Sequence, residues 1–384
     1  MTTETYRIIS ADGHVIEPPG MWTTYLPKEF HHRAPKLVKD PEGGDAWELS
    51  PGAPPMPIGL VVSEGPWGRR YEDNRWYGCT YDTIRQGAFS GKHRIEEQDV
   101  DGVDAEVIFP SQRTMSAFMA QEDDAYHLAG INAYNTWLNE EFTAADHTRF
   151  VSLAQMPAVD IATAVSWLRE AKSGGFKGVI ISAYPSGNAD LSRDDDPFWE
   201  AAEQEQMPIH IHVGLTQAGK RRTAGAGKAE AVRSGGLPSL EAMGGPIGEA
   251  SGVISKFIYT GMFDRFPGLQ FVAAETGAGW IPHFLEHMDD HWWRNRVWSG
   301  SPLRHLPSEY FKRNWKVTFI REPFAVVVRH HIGVDNMMWS TDYPHHRHDW
   351  PYSRRIIEDS FVGVPDVEKQ RMICGNAQEL YHLG

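Results

Sequence analysis

Cysteine is scarce in this 384-residue chain, which has two, Cys79 and Cys374. That argues against a disulfide framework or a thiolate metal cage. Long apolar runs are missing as well, since no stretch reaches the about 18 residues that a membrane-spanning helix needs. Positive charge is in deficit: 37 lysines and arginines face 51 acids, a net charge of −14. Nucleic acid is therefore not an expected partner, because phosphate binding depends on basic surface. The opening residues, MTTETYRIISAD, lack a basic region followed by an apolar one. No secretory signal is expected, and a cytoplasmic location is. Several motifs are absent too. There is no G-x-S-x-G elbow and no GKS or GKT phosphate loop. The glycines around Ala224–Gly227 follow no strand, so dinucleotide binding is unsupported. Cys79 has no paired histidine motif, which argues against a thiol nucleophile.

What the chain does have is alternation. A hydrophobic share of 41% and an aromatic share of 11% can fill a large core. Short apolar runs predict strands at Tyr6–Ala11, Asp104–Phe109, Phe150–Met156, Gly178–Ser182, Pro208–Val213, Gln270–Ala274, Trp315–Ile320 and Asn336–Ser340. Several are continuous rather than alternating, as parallel strands covered on both faces require. Helical patterns lie between them at Glu122–Asp146, Ile161–Lys172, Pro197–Glu205, Gly279–Trp293, Pro323–His330 and Tyr352–Phe361. Pro197 and Pro323 suit a first helical turn. Eight such units predict one α/β domain over 1–384, a (β/α)8 TIM barrel, with an open doubly wound sheet as the alternative.

Two long interruptions follow predicted strands. Residues 15–100 are rich in Pro, Gly, Trp and charge and show little periodicity; residues 214–252 are rich in Gly, Ala and Ser. In a barrel both would lie on the catalytic face, as an insertion covering the active site and a lid.

Asp12 and His14 share one side of an extended chain at the end of the first strand. A carboxylate with an imidazole is a competent metal-ligand pair, although A-D-G-H also reads as a simple turn. The fifth strand, MPIHIHVG, ends near His212, with His210 on the same face; a packed histidine is the plain alternative. The eighth strand runs into Asp342, which could equally cap a helix. Their shared placement at strand ends turns three weak signals into one.

The segments SADGHVIEP, PIHIHVG, FPGLQFVAAETGAGWIPHFLEHMD and MMWSTDYPHHRHDWPYS occur in this order along nearly the whole chain. Together they resemble the amidohydrolase-2 branch of the amidohydrolase superfamily, which holds decarboxylases of the aminocarboxymuconate-semialdehyde and resorcylate types beside hydrolases. The resemblance implies a (β/α)8 barrel that binds a divalent metal. By position it implies Asp12, His14, His212 and Asp342 as ligands. Zinc is the first expectation, manganese or iron fit the same ligand types, and one ion is expected with room for two.

One departure matters. Many members end the sixth strand in His-x-Gly-Gly, whereas this chain has Glu275 there. A carboxylate is a poor proton donor at neutral pH unless its pKa is raised. It can serve instead as a base toward a metal-bound water, as a ligand to a second ion, or as a cap for the helix near Gly277. The expected activity is therefore hydrolysis of an ester, thioester such as acyl-CoA, amide or C–C bond in a bulky apolar or aromatic acid derivative. Asp342 or Glu275 would act as base, and His345 would act on the oxyanion or leaving group. Metal-dependent decarboxylation of a phenolic or unsaturated acid is the second reading, and a non-catalytic binding barrel the third. Arg321 and Trp76 are candidates for substrate contact, as is the basic patch of Lys220, Arg221, Arg222, Lys228 and Arg233. Trp67, Tyr77 and Tyr81 could line an aromatic pocket or pack on the rim. A homodimer is expected, with His291–Trp298 as an interface.

Overall fold

The computed structural model describes residues 6–62, 71–111, 113–119, 122–213, 215 and 246–384. All eight predicted strands form. They are β1 (Ile9–His14), β5 (Ala105–Phe109), β6 (Phe150–Gln155), β7 (Gly178–Ile180), β8 (Ile209–His212), β9 (Phe271–Ala274), β10 (Trp315–Phe319) and β11 (Met337–Trp339). They pair in parallel in that order. Their apolar residues, among them Val107, Ile108, Phe109, Phe271 and Val272, are fully buried. The sheet closes where Gly13 bridges Tyr343 in parallel. The Asp342 amide donates to the Asp12 carbonyl at 2.9 Å, and the His14 amide donates to the Tyr343 carbonyl at 2.7 Å. The result is a (β/α)8 barrel.

Helices appear where the periodicity places them, with boundaries set by local chemistry. Asp123 caps the helix Asp124–Trp137 by accepting from the amides of Ala125 and Tyr126. Asp160 caps Ile161–Ser173 through the Thr163 amide. The helix Ile281–Asn295 starts later than expected and has no side-chain cap, while the amides of Ala278 and Gly279 in the turn before it donate to Glu322 Oε2. Glu275 is therefore not its cap. At its far end Trp293, Val297 and Trp298 are left exposed.

The first strand differs from expectation. It runs on to His14, so Asp12 and His14 lie within the strand and not after it. A register shift against β5 between Ser10 and Gly13 re-aims this end of the strand. Gly13 is required there: a Cβ would lie 2.0 Å from Glu106 Oε1. Glu106 is buried on β5 and paired with Arg94, Nη1 to Oε2 at 2.6 Å. Gln98 donates to the same oxygen at 3.1 Å, and Thr341 Oγ1 to Oε1 at 3.2 Å. Arg94 also donates to the His14 carbonyl.

Residues 15–100 hold more order than their periodicity suggests. An antiparallel sheet joins β2 (Lys36–Lys39), β3 (Asp45–Glu48) and β4 (Met56–Pro57). Its first turn is held by Asp40 Oδ1, which accepts from the amides of Glu42 and Gly44. Strands this short carry too few residues to show a period. The helix Gly91–Asp101 escapes for a different reason: its buried face is Arg94, Gln98 and Asp101, so it has no apolar stripe. Of the second interruption, residues 214 and 216–245 fall outside the described set, and Pro246–Tyr259 is helical. The helix Pro307–Asn314 and the helical run from Asp366 to Leu380 were likewise not foreseen. Among the described residues no helix is long and apolar enough to cross a membrane.

Replacing Arg94 by Met should leave Glu106 buried without its counter-charge and lower the unfolding free energy by about 3 kcal/mol. Urea denaturation of the variant beside the parent measures this. An unchanged midpoint would show that Gln98 and Thr341 suffice to hold Glu106.

Candidate metal centre

The strand ends deliver six titratable side chains to one point inside the barrel mouth. Asp12 and His14 come from β1, and His212 comes from the last position of β8. Residue 212 pairs in register with Ala274 of β9, which carries Glu275 to the same level. Asp342 and His345 follow β11. Glu275 and Asp342 both have positive φ, 55° and 57°. Left-handed backbone at a non-glycine residue costs about 1–3 kcal/mol and is found chiefly where a function holds it in place. Here each strand turns sharply at its end and points a carboxylate inward.

The donor atoms crowd together. His14 Nε2 lies 3.4 Å from Asp12 Oδ1, 3.4 Å from Asp342 Oδ1 and 3.1 Å from His212 Nε2. His212 Nε2 is 3.4 Å from Glu275 Oε2 and 3.9 Å from Asp12 Oδ1. His345 Nδ1 is 2.9 Å from Asp342 Oδ1, and its ring stacks on His14 with centroids 3.8 Å apart. Two overlapping sets, Asp12–His14–His212 and His14–Glu275–Asp342–His345, each keep their donor atoms within 4.8 Å of one another.

Supporting contacts orient these groups. His14 Nδ1 faces the Pro110 carbonyl at 3.3 Å, which leaves Nε2 for the cluster. Thr318 on β10 links two members: its Oγ1 accepts from the Glu275 amide at 2.9 Å and donates to Asp12 Oδ2 at 3.3 Å. Sequence reading missed Thr318. Its one signal was a hydroxyl inside an otherwise apolar buried strand. His210 is a packed, hydrogen-bonded histidine outside the cluster: Nδ1 meets the Val179 carbonyl at 2.9 Å and Nε2 the Tyr381 hydroxyl at 2.7 Å.

The electrostatics are those of acids and imidazoles confined without solvent. Burial alone would raise Asp12, but the His14 hydrogen bond and the charges of His212 and His14 hold it below its ordinary value. Burial opposes the charged form of His14 too, yet the Asp12 hydrogen bond and the charges of Asp12, Asp342 and Glu275 raise it to about 9. Burial, then repulsion from Asp342 and Asp12, pushes Glu275 up to about 8. Burial also raises Asp342, against the pull of His14. His345 is kept well below its ordinary value by burial and by the charge of His14.

A divalent cation fits this set. Asp342 Oδ2 and His345 Nε2 are buried without a hydrogen bond among the described residues, and Asp12 Oδ1 and Asp342 Oδ1 have imidazole nitrogens beside them. Ligand atoms held about 2.1 Å from one ion stand roughly 3–4 Å apart, which matches the separations above. Carboxylates and imidazoles are the donors that zinc, manganese and iron share.

The other expected residues are distributed differently. Arg321, 56% exposed, lies 3.9 Å from Asp349 Oδ1 and does not pair with Glu322. Arg347 is the cation beside the cluster, 3.6 Å from Glu275 Oε1. Trp76 is buried in the first excursion, and Tyr81 donates to the Glu17 carbonyl. Trp67, Lys220, Arg221, Arg222, Lys228 and Arg233 lie outside the described residues.

Comparison with known proteins agrees with this architecture. A decarboxylase of Emericella nidulans, orsB, is 26% identical over 54% of this chain and 63% of its own length. A gamma-resorcylate decarboxylase of Polaromonas is 24% identical over 65% of this chain and 75% of its own. The chain thus matches less than two thirds of the first relative. Among solved structures, an amidohydrolase of Mycobacterium avium subsp. paratuberculosis superposes with a TM-score of 0.74 at 18% identity over 98% of both chains. The 5-carboxyvanillate decarboxylase of Novosphingobium aromaticivorans, solved with manganese and a hydroxy-methoxy-nitrobenzoic acid, gives 0.69 at 18% over 100% and 98%. Both share the fold. The family model described as Amidohydrolase matches residues 79–383, which take in seven of the eight barrel strands and four of the six clustered side chains, His212, Glu275, Asp342 and His345; the chain belongs to the amidohydrolase family.

Proposed function

We propose that this chain is a metal-dependent, non-oxidative decarboxylase of hydroxylated aromatic acids. The observation that carries the reading is the buried cluster in which Glu275 faces His212 at 3.4 Å, enclosed with Asp12 and Asp342. An exposed glutamate would be ionised at neutral pH and would suit a hydrolase. Burial and the neighbouring acids hold Glu275 above the ordinary carboxylate range in the metal-free cluster, which favours a protonated Glu275 and weakens the objection to decarboxylation. The names of the two curated relatives point the same way.

In this reading Asp12, His14, His212 and Asp342 hold the ion. Manganese takes precedence over zinc, in keeping with the manganese of the carboxyvanillate decarboxylase. When bound, the ion supplies Lewis-acid charge for the substrate carboxylate and its neighbouring oxygen. Glu275 passes its proton to the ring carbon that bears the carboxyl group. The bond to the carboxyl carbon then breaks, its electron pair stays with the ring, and CO2 leaves. Arg347, half exposed beside Glu275, stabilises the carboxylate left behind and faces the solvent that restores the proton. His345 orients Asp342 through Nδ1.

Manganese-loaded protein should release CO2 from 2,6-dihydroxybenzoate or a related carboxylated phenol. Glu275→Gln should retain the metal and lose a factor of roughly 10²–10⁴ in kcat. His212→Ala should lose metal and activity together. Acid release from esters or thioesters, with no CO2 from any carboxylated phenol, would overturn the reading in favour of hydrolysis.

The cluster also predicts how pH acts on metal-free protein. Glu275 rises from 4.5 to about 8 on folding, and His14 from 6.5 to about 9. Both bind their protons more tightly when folded, so each contributes stability that is complete below its unfolded pKa and lost as pH rises through the folded one. Chelator-treated protein should therefore melt at lower temperature at pH 9 than at pH 6, and added manganese should shrink the difference. Thermal unfolding with and without manganese checks this. A chelated sample whose melting does not fall with pH would count against it.

A further inference from the structure

The loop after β5 carries a cation that the metal centre does not account for. Arg113 is pinned through its backbone: its amide donates to Ser111 Oγ at 3.1 Å, and Ser116 Oγ donates to its carbonyl at 2.7 Å. The side chain reaches the first excursion, where Nη2 donates to the Gly59 carbonyl at 3.0 Å. Its guanidinium carbon stands 4.6 Å from the centre of the Trp76 ring. Gly59 has no side chain for a good reason, since a Cβ would lie 2.4 Å from the carbonyl oxygens of Arg75 and Trp76. The close approach of these backbones is what sets Trp76 under the guanidinium.

Among the described residues Arg113 lacks a counter-charge. Arg94 has Glu106, Arg149 has Asp99, Arg265 has Asp196 and Arg329 has Glu368. No carboxylate of the described residues lies within ion-pair distance of Arg113. Its Nε is buried without a hydrogen bond among the described residues, as is Trp76 Nε1. The charge is nevertheless felt at the metal centre, where Arg113 is among the groups that keep His345 neutral. An unpaired, desolvated cation destabilises a fold. Its planar fork is also the group best matched to a carboxylate.

We propose that Arg113, with Trp76 behind it, receives a second anionic group of the substrate, separate from the carboxylate and adjacent oxygen engaged at the metal centre. The substrate class is then an aromatic acid that carries two acidic groups. This rests on the decarboxylase reading only for which molecule binds. Trp76 supplies an aromatic face and an N–H, and Arg113 Nε and its neighbouring nitrogen supply two parallel donors.

The test uses two probes that lack the ortho hydroxyl of a reactive substrate, benzoate and its dianionic relative isophthalate, titrated calorimetrically into the manganese-loaded protein. Isophthalate should bind about ten-fold or more tightly than benzoate. Arg113→Met should abolish that preference while the melting temperature holds or rises, because a partly buried cation with no carboxylate partner among the described residues is removed. Arg113→Lys should restore only part of it. If Arg113→Met does not fold, Trp76→Phe, which keeps the ring and drops the N–H, should weaken isophthalate several-fold and spare benzoate. Equal affinities in the parent protein would overturn the proposal. So would a full preference in Arg113→Met, or a lowered melting temperature with both probes weakened alike. An Arg113-dependent preference without CO2 release from any acid would sink the decarboxylase reading and leave this one standing. CO2 release without the preference would do the reverse.

Discussion

The hydrogen bonds that close the barrel are also the ones that assemble the site. Asp342 donates its amide to the Asp12 carbonyl, and His14 donates its amide to the Tyr343 carbonyl. The seam between the first and last strands therefore joins three of the six clustered residues directly. If that seam slipped by one position, Asp342 would leave its place beside His14. Gly13 permits the seam, because Glu106 occupies the space that a side chain would need. Arg94 then ties Glu106 to the carbonyl of His14, so a buried ion pair between the helix Gly91–Asp101 and β5 fixes the strand that carries the first two donors.

This arrangement sets unlike demands against one another. Barrel interiors are stable when filled with branched apolar residues, and most of this one is. At the mouth, three carboxylates and three imidazoles are enclosed instead. Groups so confined must share protons, pair with one another or take up a cation. The chain does some of each: Asp12 stays charged against His14, while Glu275 and Asp342 are driven toward their neutral forms. Positive φ at Glu275 and Asp342 adds a backbone cost at the same place. Folding energy from the apolar layers below has to offset both.

Much of the architecture was legible in the sequence for a simple reason. Parallel strands covered on both faces must be continuous apolar runs, and such runs stand out at Phe150–Gln155 or Phe271–Ala274. Asp12, His14, His212 and Asp342 were legible because each ends such a run. The order within residues 15–100 was not. Four-residue strands show no period, and the helix Gly91–Asp101 buries arginine, glutamine and aspartate where a pattern search looks for leucine. Thr318 and Arg113 were invisible for another reason. Their meaning lies in what stands across from them, and register and loop closure decide that. The helix cap illustrates the same limit. Glu275 was a fair choice by spacing, but the free amides lie over Glu322, one strand away in space and far along the chain.

Glu275 shows why chemistry is harder to read than fold. As a letter in the sequence it argues for a base, because an ordinary glutamate is ionised at pH 7. Its behaviour depends on enclosure and on two other acids, and neither is a property of the residue. Repulsion among Asp12, Asp342 and Glu275 cannot be relieved by water, so it is relieved by protonation, and the carboxyl that sits nearest the open side is the one that exchanges. A histidine at this position would add positive charge to a site that already contains three imidazoles, and a cation would then compete with it. A glutamate brings a proton without that competition. The replacement that first favoured hydrolysis is thus compatible with proton delivery to carbon, with His212 on the enclosed side of Glu275 and half-exposed Arg347 on its solvent side.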